Sequence, residues 1–179
     1  MILGERLRLR AVEKEDIDRF VVWLNDPEVR KGIDIFLPLS RHEEEKWFET
    51  TMAKPTTEHP FVMEINDRES WNPIGDCGFF EIDWLNRFGE IGIFIGEKQY
   101  WNQGYGSEAV RMLLKHGFDT LNLNRIFLRV FEDNPRAIRA YEKVGFVHEG
   151  RLRKAKYRDG QYLDILLMSV LREEWKNSR

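Results

Sequence analysis

The residues with the clearest chemical potential form a glycine-bearing loop in the middle of the chain. Gly104 and Gly106 flank a tyrosine, and Ser107 then opens a stretch whose apolar residues recur with the helical period up to Phe118. The first turn of a helix presents backbone N–H groups without intrahelical partners, and the helix dipole adds partial positive charge. Glycines let a ligand approach the main chain because no Cβ intervenes. This arrangement is suited to binding phosphate.

The same loop has two other interpretations. A Gly-x-Gly pair also occurs in ordinary strand-to-helix turns, and the run up to Ala109 fits the dinucleotide-binding pattern G-x-G-x-x-A. A dinucleotide turn follows its strand directly, whereas seven residues separate Gly96, the end of the preceding alternating stretch, from Gly104. The spacing therefore argues against a nucleotide-cofactor oxidoreductase and leaves the ordinary turn open.

A tyrosine in the stretch 134–146 is the second candidate. Helical spacing places Tyr141 on or near the same face as Ala137, Ile138 and Val144. A buried tyrosine needs a partner for its hydroxyl, so Tyr141 is either a core residue bonded to a backbone carbonyl or a functional proton donor. A phenol has a reference pKa of about 10, against about 8.5 for a thiol, so it stays protonated and can donate to a departing thiolate.

Alternating and helical patterns predict the elements that position these residues. Alternation predicts strands at 6–10, 61–65, 74–84, 90–96, 125–131, 146–151 and 162–170. Helical patterns predict four helices. Two lie at 13–25 and 107–118, one begins at a Ser40–Glu43 capping box, and one runs from the cap Asn134 to Gly145. Residues 66–73 form a hairpin turn and 173–177 a short tail in this interpretation. The pattern predicts one α+β domain over residues 1–179.

Composition narrows the class of protein. A net charge of −3 and a pI near 5.9 give no electrostatic case for nucleic acid. The one cysteine, Cys77, is expected to be a packed residue in a reducing compartment. No stretch has the length of a membrane span or the apolar core of a signal peptide, and no histidine has a ligand-spaced partner. We therefore expect a cytoplasmic protein without a metal. The acids at 43–45 are expected to form a solvated helix face.

Three motifs together resemble the GCN5-related N-acetyltransferase (GNAT) superfamily, and more closely its branch of ribosomal-protein alanine and spermidine acetyltransferases. The opening 4–10 with 13–20 and 25–29 resembles the first strand and helix of that branch. The run 100–109 resembles its cofactor loop, including Trp101, and 134–146 resembles its second cofactor helix. The likeness covers nearly the whole chain in order, which makes it far more specific than the glycine loop alone.

This resemblance implies a fold and a donor. We expect a mixed, mostly antiparallel sheet of about six or seven strands flanked by helices, with a splayed strand pair that holds acetyl-CoA. The implied cofactor-binding residues are Phe94, Ile95, Gly96, Gln103, Gly104, Tyr105, Gly106, Ser107, Asn134 and Arg139. The main chain of the first three would bond the pantetheine, and the N–H groups of 103–107 would hold the pyrophosphate.

The resemblance also implies catalytic roles. Tyr141 matches the tyrosine beside the cofactor sulfur. The base is less defined: some relatives carry a glutamate where this chain has Arg129, which cannot serve, so Glu90 acting through water is the candidate, with Glu81 and Asp83 as alternatives. No covalent acetyl-enzyme is needed.

The acceptor is expected to be a small cationic amine, a polyamine or a protein N-terminus. Acids near the proposed mouth, Asp26, Glu28 and Asp34, would attract such a cation. The resemblance leaves a homodimer open. A non-catalytic acyl-CoA sensor is the competing function, although a sensor need not keep Tyr141.

Acetyl-CoA is expected to raise the melting temperature because a ligand that binds only the native state stabilises it by mass action. NAD at the same concentration serves as the control and is expected to leave the temperature unchanged. Thermal denaturation with each ligand tests this. Equal stabilisation by NAD, or none by acetyl-CoA, would remove the acetyltransferase interpretation.

Overall fold

One eight-stranded sheet runs through the computed structural model, which describes residues 1–67 and 70–177. Its strands are β1 (Ile2–Leu3), β2 (Leu7–Ala11), β3 (Phe61–Asn66), β4 (Trp71–Asp83), β5 (Phe88–Ile95), β6 (Arg125–Phe131), β7 (Val147–Arg158) and β8 (Gln161–Leu171). The spatial order is β1-β2-β3-β4-β5-β6-β8-β7. All neighbours pair antiparallel except β5 and β6, which are parallel. The predicted mixed α+β fold is confirmed; the additional strand is β1, only two residues long.

Helices cover both faces of this sheet. They are α1 (Ile17–Asn25), α2 (Pro27–Arg30), α3 (Arg41–Met52), α4 (Tyr105–Lys115), α5 (Pro135–Val144) and α6 (Arg172–Asn177). The predicted Ser40–Glu43 capping box begins α3. The Asn134 side chain caps α5, and Gly145 ends it in the left-handed region at φ 107°. The predicted C-terminal tail forms α6, which follows β8 directly.

Two apolar clusters fix these layers. The larger one packs α4 against the sheet through residues such as Leu113, Leu114 and Ile126 and includes Cys77, which is fully buried as expected. The smaller one lies around α1 and contains Phe20, Trp23, Leu24, Val12 and Val62, with Trp47 of α3 packed against it. The two helix layers therefore meet different parts of the sheet.

Strands β5 and β6 separate after a short parallel ladder. Their pairing runs only from Phe88↔Arg125 through Gly89↔Ile126 to Glu90↔Phe127. Beyond that point β5 stays paired with β4, and β6 stays paired with β8 as far as Phe131. The predicted splayed pair is thus present, and an opening lies between the C-terminal halves of two strands that are each held on one side only.

The turns show one confirmed prediction and one that falls outside the structure. Asp159 and Gly160 both have positive φ, 48° and 81°, and join β7 to β8 as a tight hairpin turn. The turn predicted at 66–73 is interrupted by β4, which begins at Trp71. Its central residues, Arg68 and Glu69, lie outside the described residues.

Gly75→Ala is expected to destabilise the protein by about 1–3 kcal/mol, as overpacking does in a tight interior. A Cβ at Gly75 would lie 2.1 Å from the carbonyl oxygen of Phe94, which is backbone and cannot swing aside. Urea unfolding measures the change. Gly150→Ala is the control, because its Cβ would find its nearest neighbour at 3.9 Å; it should be neutral or slightly stabilising. Equal behaviour of the two variants would contradict this packing.

Candidate active site

A cavity of about 860 Å³ fills the opening between β5 and β6. Its walls come from the start of α4, from α5, from the outer half of β5, and from α1, α3 and the segment that joins α2 to α3. The cavity therefore reaches from the glycine loop on one side to the aromatic cluster around α1 on the other.

The start of α4 offers free backbone donors to this cavity. Gly104 precedes the helix with φ 87° and ψ −4°, and no side chain caps the first turn. The N–H groups of Tyr105, Gly106 and Ser107 therefore lack intrahelical partners. Gly106 and Ser107 line the cavity. A Cβ at Gly106 would have only Ile95 Cδ1 nearby, at 3.7 Å. The geometry fits a phosphate group resting on this turn.

Arg6 holds in place the glycine-bearing loop that precedes α4. Its Nη1 donates to the backbone oxygen of Gln103 at 3.0 Å, and its Nε donates to Glu108 Oε2 at 2.9 Å. Its guanidinium also lies over the Tyr105 ring, 4.6 Å from the centroid. Gln103 and Tyr105 are thus part of the loop's support.

Along β5, only every second residue directs its backbone N–H and C=O groups toward the opening. Gly96 N–H donates to the Ile74 oxygen at 2.9 Å, within the β4 ladder. Since residues two apart in a strand orient their polar groups alike, the backbone of Phe94 also faces β4. The groups that face the opening belong to Ile93 and Ile95, and the Ile95 oxygen already accepts from Trp101 Nε1 at 2.8 Å. This corrects the expectation that the main chain of Phe94 and the N–H of Gly96 would contact pantetheine.

Helix α5 supplies a protonated tyrosine and a row of cations. Tyr141 lines the cavity and packs on Phe146, with ring centroids 5.8 Å apart. Burial raises the pKa of Tyr141 to about 12, so its hydroxyl keeps the proton at neutral pH. Arg136, Arg139 and Lys143 also line the cavity. Arg136 lies over the Trp101 ring, 3.8 Å from the centroid, and burial lowers its pKa.

Most carboxylates that the sequence placed at the acceptor mouth are already paired. Asp26 and Glu28 both contact Lys98 Nζ, the first at 2.8 Å, and Asp34 pairs with the buried Lys156. These acids are neutralised, so the expectation that they attract a cationic acceptor is weakened.

Glu90 is also paired, in a bidentate contact. Arg129 donates to it through Nε at 2.7 Å and Nη2 at 2.9 Å, and this contact raises the pKa of Arg129. The Arg129 guanidinium therefore occupies both oxygens of the Glu90 carboxylate. The geometry thus argues against Glu90 as the base and gives it a structural part at the point where the strands separate.

Two buried acids face the cavity without a cation. Asp76 lies on β4 and Glu44 on α3, and both are buried. The Oδ2 atom of Asp76 has no hydrogen-bond partner. Burial, with the nearby charges of Glu44 and Asp16, raises the pKa of Asp76 to about 8, and burial raises that of Glu44 to about 7. Glu44 corrects the expectation that 43–45 form a solvated face.

Comparison with known proteins settles the family. The acetyltransferase (GNAT) domain profile matches residues 6–147. The chain belongs to the GNAT family of acetyltransferases. It is 34% identical to the N-acetyltransferase p20 of Bacillus licheniformis, over 96% of each chain. It is 29% identical to the spermidine N(1)-acetyltransferase of Vibrio cholerae, over 98% of each chain.

Solved structures agree with this assignment. The Vibrio cholerae spermidine N-acetyltransferase in complex with CoA and spermine superposes with a TM-score of 0.85 at 28% identity, over 96% of this chain and 99% of that one. A putative ribosomal N-acetyltransferase, YdaF of Bacillus subtilis, is 25% identical over 99% of this chain and 97% of its own. The predicted branch is confirmed. The protein is an N-acetyltransferase that uses acetyl-CoA as donor and transfers the acetyl group to an amine.

The GNAT cavity brings together most of the residues predicted for the site. Those that line it are Tyr141, Glu90, Phe94, Ile95, Gly104, Gly106, Ser107, Asn134 and Arg139. Gln103, Tyr105 and Gly96 do not; Gly96 lies against Trp23, whose ring would be 2.1 Å from a Cβ there. Sequence reasoning missed Ile93, Arg136, Asp76 and Glu44. The available signal for Asp76 was a charged residue within the otherwise apolar run Ile74-Gly-Asp-Cys-Gly-Phe-Phe80.

Two other classes of feature are absent from the described ranges, 1–67 and 70–177. No group of three or more His, Cys, Asp or Glu side chains there could hold a metal ion. No helix in that part of the chain is both long and apolar enough to cross a membrane.

Asp76→Asn is expected to stabilise the protein at neutral and mildly alkaline pH. The native pKa of Asp76 is raised to about 8, well above the reference value of about 3.9 for an unfolded aspartate. Its contribution to stability is therefore fully present below pH ~4 and declines as pH rises toward ~8, by up to about 1.4 kcal/mol per pH unit. Urea unfolding from pH 5 to 9 should show a shallower decline in the variant.

Glu45→Gln is the matched control for that series. It removes one charge from the same helix as Glu44, but Glu45 pairs with Arg41 outside the cavity. The control should keep the wild-type slope. A wild-type slope in Asp76→Asn would mean that Asp76 is ionised in the native state throughout this range.

Proposed function

We propose that this protein acetylates a primary amine on a small cationic acceptor, with Tyr141 as the donor to the leaving thiolate. The observation that carries the proposal is the position of Tyr141. Its protonated hydroxyl lies in one cavity with a helix start whose free N–H groups suit a phosphate and with aromatic and carboxylate side chains. A polyamine and a protein N-terminus are the acceptor classes to be separated. The relatives named for spermidine support the first, and the one named for a ribosomal substrate supports the second.

The donor half of the cavity suits CoA. The free N–H groups at the start of α4 and the guanidinium groups of Arg136 and Arg139 would meet the phosphates. Ile93 would bond the pantetheine through its backbone N–H and carbonyl groups. Ile95 would bond it through its N–H, because its oxygen already accepts from Trp101. Asn134, which caps α5 through Oδ1, would lie along the same path. A backbone N–H of β5 would donate to the thioester carbonyl as it gains negative charge.

Direct transfer needs no covalent intermediate on the protein. The uncharged amine nitrogen forms a bond to the acetyl carbon, and the bond from that carbon to sulfur breaks. The attacking nitrogen becomes positively charged and loses one proton to give the neutral amide, and the sulfur gains one proton to give the free thiol. Tyr141 supplies a hydrogen bond to the sulfur as negative charge develops there. Cys77 has no part in this scheme, because it is buried in the core and burial raises the pKa of its thiol.

Three further features of the protein stay predictions. Residues 1–179 are treated as one catalytic domain, the location as cytoplasmic, and the assembly as a homodimer. Light scattering of the purified chain separates monomer from dimer.

An amine panel tests the acceptor class. Free thiol release from acetyl-CoA is measured with polyamines, N-terminal peptides, and neutral or anionic amines at matched concentration. A cationic small amine should give the highest kcat/KM. Preference for an anionic amine over every polyamine and peptide would overturn the acceptor class. Binding of acetyl-CoA without thiol release from any amine would favour the acyl-CoA sensor instead.

Tyr141→Phe is expected to lower kcat by roughly ten- to a thousandfold while leaving acetyl-CoA affinity nearly unchanged. The change removes one hydroxyl and keeps the ring that packs on Phe146. Steady-state kinetics gives kcat, and thermal shift gives the affinity. Tyr100→Phe is the matched control, because Tyr100 packs on Tyr105 outside the cavity. An unchanged kcat in Tyr141→Phe at every pH would make Tyr141 a packing residue.

A further inference from the structure

Asp76 is an unusual residue for its position in the sheet. It pairs in register with Val62 on one side and Phe94 on the other, so its side chain shares a sheet face with theirs. That face carries the aromatic cluster around α1. The side chain is only 9% exposed, its Oδ2 accepts no hydrogen bond, and it borders the cavity. A buried carboxylate without a partner is strongly unfavourable in its charged form.

Glu44 approaches the same place from the opposite wall. It lies on α3, is 4% exposed, and borders the cavity. The charges of Glu44 and Asp76 interact, since the first helps to raise the pKa of the second. Among residues 1–67 and 70–177, no hydrogen bond or ion pair reaches the carboxylate of Glu44. Two acids from different elements thus converge without a cation between them.

Every other acid near this pair is already compensated. Asp16 accepts from both terminal nitrogens of Arg10 at 2.7 Å. Glu64 accepts from Arg8 and Arg10. The paired carboxylates Glu90 and Asp34 face the same cavity from β5 and from the segment after α2. Glu43 also borders the cavity, but it is exposed and its carboxylate accepts from Ser40 in the capping box. Asp76 and Glu44 are therefore the buried acids of the described cavity wall that an incoming cation could neutralise.

We infer that Asp76 and Glu44 form the subsite that receives the ammonium group of the acceptor, and that Asp76 is the base that takes its proton. This inference rests on the proposed acetyl transfer to an amine. The ligand class is a primary alkylammonium with an apolar stem. Phe20, Trp47 and Phe80 border the same cavity and suit such a stem.

The position of Asp76 agrees with that role. Its register partner, Phe94, lies between Ile93 and Ile95, whose backbone groups face the opening. An amine held by Asp76 therefore lies one strand away from the place proposed for the thioester. Transfer of a proton from the ammonium nitrogen to the carboxylate leaves a neutral amine and a neutral acid. A carboxylate buried in this wall accepts the proton more readily than an exposed aspartate would, because burial disfavours its charged form.

Carbon NMR of the labelled full-length protein tests the subsite without catalysis. The Asp76 carboxyl is titrated alone, with saturating n-butylamine, and with n-butanol as an uncharged analogue of the same size. The bound ammonium should lower the apparent pKa of Asp76 by at least about one pH unit, and butanol should not. Glu44→Gln should reduce the effect and Glu45→Gln should preserve it. An unchanged pKa in the presence of butylamine overturns the subsite.

Kinetics with n-butylamine as the acceptor tests the role of Asp76 as base. Asp76→Asn should raise KM for the amine and lower kcat/KM by about ten- to a hundredfold at pH 7. The deficit should shrink toward pH 10, where free amine becomes abundant, and a purely structural defect would not shrink in this way. Glu45→Gln should follow the wild-type profile. A wild-type pH profile in Asp76→Asn overturns the role as base.

These outcomes are separable from those of the proposed function. Thermal stabilisation by acetyl-CoA reports the donor site alone. Its absence would remove the acetyl transfer, while a butylamine-induced change at Asp76 would still report an ammonium subsite. Its presence together with a silent Asp76 would preserve the transfer and remove the subsite.

Discussion

The active site depends on where two parallel strands stop pairing. β5 and β6 share a ladder that ends at Glu90↔Phe127, and Glu90 then reaches Arg129, two residues further along β6, with both carboxylate oxygens. This contact joins the strands by side chains just where their backbones separate. It neutralises a buried acid and leaves the backbone groups of Ile93 and Ile95 without sheet partners on that side. Trp101 occupies the Ile95 oxygen, and the backbone groups of Ile93 with the N–H of Ile95 are left for a ligand to bond.

In the proposed scheme, charge divides the cavity into a donor half and an acceptor half. The donor half carries the helix start at Gly104 and the cations of α5, while the acceptor half carries Asp76 and Glu44. Tyr141 lies on the donor helix and stays uncharged, so it can act near both a developing thiolate and a cationic amine. Neighbouring acids outside this arrangement are paired with arginine or lysine, apart from the exposed Glu43, which accepts from Ser40. The two buried exceptions therefore indicate a partner that the chain itself does not supply.

Local patterns predicted the fold well because its elements are strongly marked. Alternation around Ile91, Ile93 and Ile95 located β5, and the cap at Asn134 with Gly145 located α5. Helix α4 was harder to bound, since its periodicity continues past Lys115 into a single π turn over His116–Thr120. The two-residue β1 carries no pattern of its own and forms only because β2 offers it an edge.

Site residues were predictable where a backbone requirement marks the sequence, as glycine does at Gly104. Ionisation and pairing were not predictable, because they depend on contacts between distant segments. The sequence around Asp34 does not predict its ion pair with Lys156, which lies 122 positions away. Glu44 looked solvated because two other glutamates flank it, yet the capping box at Ser40 fixes the rotation of α3 and turns Glu44 inward. Glu43 borders the cavity as well but stays exposed and bonded to Ser40, so Glu44 is the one buried acid of the three.

The buried acids also give the protein a reason to be less stable than its packing allows. Isosteric amides at Asp76 and Glu44 would avoid the desolvation of a carboxylate, so the acids reduce stability at neutral pH. A polar network that served only the fold would be satisfied internally, as Arg8, Glu64, Arg10 and Asp16 are. Asp76 and Glu44 are buried without a cation, beside a fully paired network on the same side of the sheet. This contrast is best explained by a ligand whose positive charge compensates the two acids.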